Sequence, residues 1–202
     1  MKTTHVVETG FNIGSIKNML FQIDSEVEIV NQPININNID RLIIPGIGKF
    51  DHVMSELHNK NLVNFLEDFR KTGKPILGIC LGMQIMTESS DEGSLDGLGW
   101  FDGQTIGFVS TEKDLKIPHM GWNKVLFDND IKIFNDIEID HRFYFVHSYH
   151  VTLKSKENII GFTKYGTDFI SSMQKDNVIG VQFHPEKSQK HGTKIFENFL
   201  KL

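Results

Sequence analysis

Four short runs in the first half of the chain, 5–7, 26–30, 41–44 and 75–79, are rich in Val, Ile and Leu, and several of them leave no polar side facing out. A strand that is apolar on both faces must be covered on both faces, which is the situation of a parallel strand lying between two layers of helices. Between the third and fourth runs, Leu62, Phe65, Leu66 and Phe69 recur at helical spacing over 61–72, with Gly73 following as a stop signal. Alternation of this kind predicts βαβ units and a parallel sheet. The Asn-rich stretch 31–38, with Pro33 inside it, reads as a surface loop.

After Gly93 the texture changes. Strand candidates at 103–109, 124–127, 142–153, 159–165, 170–175 and 178–183 follow one another with little helix between them, and strands so closely spaced usually pair antiparallel. A final helix carries one apolar stripe of Ile195, Phe196, Phe199 and Leu200. Neither a repeat nor a linker divides the 202 residues, so the expectation is one α/β domain over 1–202, mostly parallel, with an antiparallel strand extension in its second half.

Composition narrows the function classes. Hydrophobic residues make up 39% and charged residues 23%, as in a globular protein, and the net charge of −5 argues against a nucleic-acid binder that works through a basic surface. The start, Met1-Lys2-Thr3-Thr4-His5, lacks the apolar core of a signal peptide. The longest apolar run, 75–86, is broken by Gly78, Gly82 and Gln84 and falls short of the ~20 residues of a membrane span. One cysteine excludes an intrachain disulfide and a four-thiolate zinc site. His147 and His150, three apart in a strand candidate, face opposite ways and make a poor metal pair. Neither G-x-G-x-x-G nor G-x-x-x-x-G-K-[ST] occurs. The expectation is a cytoplasmic protein with no metal, no cofactor, no nucleic acid and no membrane partner.

The lone cysteine sits in Gly78-Ile79-Cys80-Leu81-Gly82, just after an apolar strand and just before a helical run over 81–87. Glycines at −2 and +2 suit a sharp strand-to-helix turn, as in the nucleophile elbow of hydrolases. A thiol at a helix N-terminus gains thiolate character, and the Leu81 N–H is placed to meet an oxyanion. A buried structural cysteine is the alternative. A nucleophile needs a base, and His184 ends the strand pattern 178–183; in extended chain Glu186 shares its face and is placed to orient the imidazole. An exposed His beside an exposed Glu on a loop is the competing reading. Pro45-Gly46-Ile47-Gly48 follows a buried strand, where a turn lays N–H groups along a ligand cleft, and Gln84 lies one helical turn beyond Cys80.

Together these segments resemble class I glutamine amidotransferases of the Cys-His-Glu triad type, and most closely the glutaminase subunits of imidazole glycerol phosphate synthases. The likeness is carried by Pro45-Gly46-Ile47-Gly48, Gly78-Ile79-Cys80-Leu81-Gly82-Met83-Gln84, Gly97-Leu98-Gly99-Trp100, Pro118-His119-Met120-Gly121-Trp122-Asn123, Tyr144-Phe145-Val146-His147-Ser148-Tyr149 and Phe183-His184-Pro185-Glu186-Lys187-Ser188-Gln189. The cysteine elbow and His-Pro-Glu belong to the whole superfamily; Pro118 to Asn123 and Lys187-Ser188-Gln189 are narrower. The resemblance implies a flavodoxin-like sheet and a reaction in which Cys80 attacks the side-chain amide of glutamine, His184 held by Glu186 moves the proton, and a thioester is hydrolysed to glutamate. It further implies an oxyanion hole from Leu81 and the Ile47-Gly48 turn, and glutamine contacts from Gln84, Glu92 and the Ser148-Tyr149 backbone. Ammonia would pass through a closed channel to a (β/α)₈-barrel cyclase in a heterodimer serving histidine biosynthesis, with Asn12 and Trp122 near the contact surface.

One departure stands out, because Phe11 precedes Asn12 where the family usually has glycine, on the loop that faces the partner. The alternative acceptor is a sugar-modifying enzyme of surface-polysaccharide or flagellar glycan synthesis. A binding module that has lost catalysis would normally lack the cysteine or histidine, and both are here. A cysteine hydrolase or chaperone on the same sheet leaves Pro118 to Asn123 unexplained.

Overall fold

Burial on both faces is what the apolar strands require, and the computed structural model, which describes residues 3–9, 13–23, 26–109, 115–128 and 130–202, supplies it. The first half runs β1 (Thr4–Val7), α1 (Ile13–Gln22), β2 (Val27–Val30), β3 (Arg41–Ile44), α2 (Phe50–Asn59), α3 (Leu62–Lys71), β4 (Ile76–Ile79) and α4 (Leu81–Gln84). The second half is β5 (Ser89–Ser90), β6 (Gly103–Gly107), β7 (His119–Asn123), β8 (Leu126–Phe127), β9 (Phe143–His147), β10 (Tyr149–Leu153), β11 (Ile159–Tyr165), β12 (Thr167–Lys175), β13 (Val178–Val181) and α5 (Gln189–Lys201).

Five strands lie parallel in the order β2–β1–β3–β4–β13. The last strand in sequence thus sits beside β4, and β12, β10 and β6 continue the sheet antiparallel from it. Side chains alternate between two apolar layers. Val7, Leu42 and Ile44 pack with Phe50, Val53, Leu57, Leu66 and Phe69 of α2 and α3, whereas Val6, Ile43 and Leu77 pack with Ile16 and Leu20 of α1 and with Ile195, Phe196 and Phe199 of α5. Among the described residues, no helix is long and apolar enough to cross a membrane.

Several expectations shift. The helices α1 and α2 go beyond the sequence reading, and the 31–38 stretch holds one 3₁₀ turn at Ile36–Asn38, whose Asn35 side chain accepts from Asn37 N–H at 3.0 Å. The run 142–153 is two strands of different sheets. Its first half pairs with β7 in a separate two-stranded sheet, and its second half joins β6 and β12; the break falls at Ser148, whose carbonyl accepts from Phe108 N–H at 3.1 Å. The helical run expected over 81–87 stops at Gln84, because the Ile85, Met86 and Thr87 carbonyls accept from Leu98, Trp100 and Gly99 instead of continuing the helix.

Candidate active site

The ends of β3, β4 and β13 point to one side of the sheet, and the residues that follow each of them converge there. Cys80 follows β4 with φ 55° and ψ −112°, a backbone that a residue bearing a Cβ adopts only when its surroundings hold it. Its N–H donates to Val181 O at 2.8 Å, and its carbonyl accepts from Met83 and Gln84 N–H at 3.0 and 3.1 Å. Gly82 explains how the bend closes: a Cβ there would run into the Ile44 carbonyl, and one at Gly78 would meet Met86 and the Gly82 carbonyl. The flanking glycines are therefore a matter of close approach between β3, β4 and the turn. With only four residues, α4 brings little dipole to the thiol, so the sulfur's neighbours matter more.

Those neighbours come from the end of β13. His184 is held by its own backbone, its N–H donating to Tyr144 O at 2.8 Å in an isolated bridge to β9. The Nδ1 of the ring lies 2.7 Å from Glu186 Oε1, with both side chains buried. The geometry that achieves this differs from the extended chain expected, since Pro185–Lys187 forms one 3₁₀ turn that begins with the φ-restricted proline and swings the carboxylate back under the ring. The ring's other nitrogen, Nε2, meets no oxygen or nitrogen acceptor. Burial by itself would lower the pKa of His184, but the Cys80 sulfur and then Glu186 outweigh it and raise the value to about 10. Sulfur and imidazole are thus close enough for each to feel the other's charge.

A cleft of about 390 Å³ opens over the sulfur, lined by Ile47, Gly48, Cys80, Leu81, Gln84, Glu92, Ser148 and Tyr149 among others. Glu92 Oε2 accepts from Phe50 N–H at 2.9 Å while Asp51 accepts from Ser94 and Leu95 N–H at 2.9 and 3.0 Å, so the start of α2 and the Glu92 loop clamp each other. Gln84 is buried, with Nε2 donating to Tyr149 O at 3.1 Å and Gln182 Oε1 at 3.0 Å, which leaves its oxygen for a ligand. The Leu81 N–H, expected to serve an oxyanion, is directed at Gly46 O at 3.3 Å, and no described residue accepts from the Ile47 or Gly48 N–H.

Trp122 lies outside the cleft, half exposed on β7 and edge-on to Tyr144, with ring centroids 5.9 Å apart; exposed Met120 shares the strand. Asn12 lies outside the described residues. His147 and His150 do not face opposite ways, because the break at Ser148 turns the chain and sets both rings against Phe108, with centroids 5.3 and 4.7 Å away. His147 is engaged with His119 (Nε2 to Nδ1, 3.0 Å), and among the described residues no group of three or more His, Cys, Asp or Glu side chains is placed to hold a metal ion. A larger cavity, about 740 Å³, lies at the opposite ends of β4 and β13 and holds none of the expected residues. Volume alone is a poor guide here, and the convergence of polar groups marks the site.

Gln182, Lys187, His147 and His119 surround the site without having been singled out as site residues. Of these, Gln182 carried a readable signal, since it stands two residues before His184 on one face of the strand.

Fold and cluster define a three-layer α/β protein with a Cys–His–Glu set at the carboxyl ends of its parallel strands. The family model for class-I glutamine amidotransferases matches residues 4–202. A curated relative in Methanococcus maripaludis, imidazole glycerol phosphate synthase subunit HisH 2, is 47% identical over 191 residues, covering 94% of each chain. Subunit HisH of the same synthase in Sulfurimonas denitrificans is 41% identical, covering 94% of this chain and 93% of that one. Among solved structures, PurLQS of Thermotoga maritima superposes with a TM-score of 0.76 at 19% identity, covering 100% of this chain and 99% of that one, and a glutamine amidotransferase with 0.72 at 14%, covering 98% and 97%; at that identity the likeness shows the fold. The chain belongs to the class-I glutamine amidotransferase family.

Proposed function

We propose that this chain is the glutaminase subunit of an imidazole glycerol phosphate synthase, hydrolysing L-glutamine to glutamate and ammonia for a (β/α)₈-barrel cyclase in histidine biosynthesis, in the cytoplasm. The whole chain, 1–202, acts as one amidotransferase domain. The observation that carries the reading is Cys80 at a strained turn beside a buried His184 that Glu186 orients at 2.7 Å. Cys80 Sγ attacks the amide carbon, and His184 passes its proton to the departing ammonia, leaving a glutamyl thioester. Water, deprotonated by the same imidazole, then adds to the thioester and releases glutamate and the thiol. Gln84 Oε1 and the Glu92 carboxylate suit the α-ammonium of glutamine. The Ser148 and Tyr149 carbonyls already have partners, so the Ser148 N–H, which no described residue accepts, is the group we assign to the carboxylate.

We assign the oxyanion hole to the Leu81 N–H and the Ile47–Gly48 turn; the Leu81 N–H, directed at Gly46 O, must turn to complete it. Docking of the cyclase on the exposed apolar residues of β7, Met120 and Trp122, together with Asn12, is the event we assign to completing it. Supply of ammonia to a sugar-modifying enzyme finds no support in the curated relatives compared, which carry the synthase name.

The test is glutamate release by the chain with its cyclase. Cys80→Ala lowers it by at least about 10⁴-fold while the complex still forms, and an unchanged rate removes Cys80 from the mechanism. The chain alone turns over far more slowly than the complex; equal rates would show that the Leu81–Gly46 bond does not gate the site.

A further inference from the structure

We propose that Gln182 is a further catalytic residue, its side-chain N–H holding the Cys80 sulfur as the thiolate that attacks glutamine. The inference rests on Cys80 being the nucleophile. It begins with the strand. Beyond β13 the backbone stays in register, with Gln182 N–H donating to Ser171 O at 2.9 Å and Cys80 N–H to the neighbouring Val181 O at 2.8 Å. Val181 and Phe183 turn into the apolar layer shared with α5. On the other face Gly180 lets Met83 of α4 approach, and Gln182 and His184 follow at two-residue spacing, so both reach toward the turn that bears the sulfur.

Gln182 is fully buried, a place where a carboxamide is costly unless all its groups are used. Its Nε2 lies 3.6 Å from Cys80 Sγ, and its Oε1 accepts from Gln84 Nε2 at 3.0 Å. An amide viewed alone can be turned end for end, but this one cannot. The anchor is the Tyr149 carbonyl, an acceptor only, whose two lone pairs are taken by His147 Nδ1 at 2.7 Å and Gln84 Nε2 at 3.1 Å. Gln84 therefore presents its nitrogen to Tyr149, and the second hydrogen on that nitrogen needs an acceptor, which Gln182 provides with its oxygen. The Gln182 nitrogen is left facing the sulfur. A donor aimed at sulfur favours its anionic form, and His184 supplies the opposing charge from the neighbouring position.

The experiment follows the rate of Cys80 alkylation by iodoacetamide in the full-length chain across pH, read by mass spectrometry. It needs neither glutamine nor the cyclase. A failed turnover assay therefore bears on the amidotransferase reading, and an unmoved alkylation profile bears on Gln182. Replacing Gln182→Met keeps the volume and removes the donor. The midpoint of the profile rises by about one pH unit, with about tenfold slower alkylation below it. Gln182→Glu, which turns a carboxylate toward the sulfur, moves it further in the same direction. A midpoint for Gln182→Met equal to that of the unaltered chain overturns the proposal. If Gln182→Met does not fold, as judged by circular dichroism, Gln84→Met unlocks the Gln182 amide in its place, with an upward shift supporting the proposal and an unmoved midpoint overturning it.

Discussion

His184 and the His119–His147 pair are all buried within one neighbourhood, yet they are held in opposite states. Burial drives the pKa of His119 down to about 4 and that of His147 to about 3. Their ring nitrogens meet a carbonyl, an amide and each other, and none of these carries charge: Asn123 Nδ2 lies 3.3 Å from His119 Nε2, and His147 Nδ1 2.7 Å from Tyr149 O. His184 is buried at least as completely, but with the Cys80 sulfur and the Glu186 carboxylate beside it, its value rises to about 10. The difference teaches that desolvation sets the default for a buried imidazole and anionic neighbours reverse it. The two regions also feel each other, since a protonated His184 is one of the charges that keep His147 neutral.

With the sulfur left in place, the contrast is broken most severely at Glu186. Glu186→Gln keeps the shape and removes the charge, so glutaminase kcat/KM falls by about 10²–10³-fold and the His184 titration, followed by NMR, moves toward that of His119. Unchanged kcat/KM would mean that the carboxylate is not what sets His184 apart.

Next in size is the response to acid. His119 and His147 have folded values below the ordinary 6.5, so the unfolded chain takes up protons that the folded one refuses. Their contribution is complete above pH 6.5 and is lost as pH falls toward 4 and 3, by at most about 2 kcal/mol per histidine at pH 5. His184 runs the other way, contributing fully below pH 6.5 and losing its contribution as pH rises through about 10. Urea unfolding at pH 7.5 and 5 measures the acid limb; His147→Gln flattens it, and an equally steep limb in that variant rules out burial of His147 as its source.

The smallest effect sharpens the neutral side. Asn123→Ala removes the amide near His119 Nε2 and costs at most about 1 kcal/mol in thermal unfolding. His119 still titrates below pH 5, because burial holds it there; a return to 6.5 would assign that role to the asparagine.

Much of the fold was legible because β1, β3, β4 and β13 carry no polar residue that needs an outer face, apart from Thr4, His5 and Arg41, and so declare a sheet covered twice. The α1 helix was not, since only Ile16 and Leu20 are buried in its ten residues. The α2 helix did carry Phe50, Val53, Met54 and Leu57 at helical spacing, masked by the polar residues between them. The break at Ser148 left no mark either, because the period of two runs through it. At the site, Cys80, His184 and Glu186 were readable because the elbow and His-Pro-Glu are local in sequence. The pairing of Gln84 with Tyr149 and Gln182 was not, because the two lie 65 and 98 residues away and meet it only in the folded chain.

The two-stranded sheet of β7 and β9 runs into the main sheet at Ser148, packs Phe143 and Phe145 against Phe183 in the core, and is joined to His184 by the bridge from Tyr144. An imidazole that must hold its place to a fraction of an ångström is therefore moored to the smallest sheet in the protein. A substitution that breaks the Tyr144 bridge would therefore misplace the ring while the parallel strands keep their pairing.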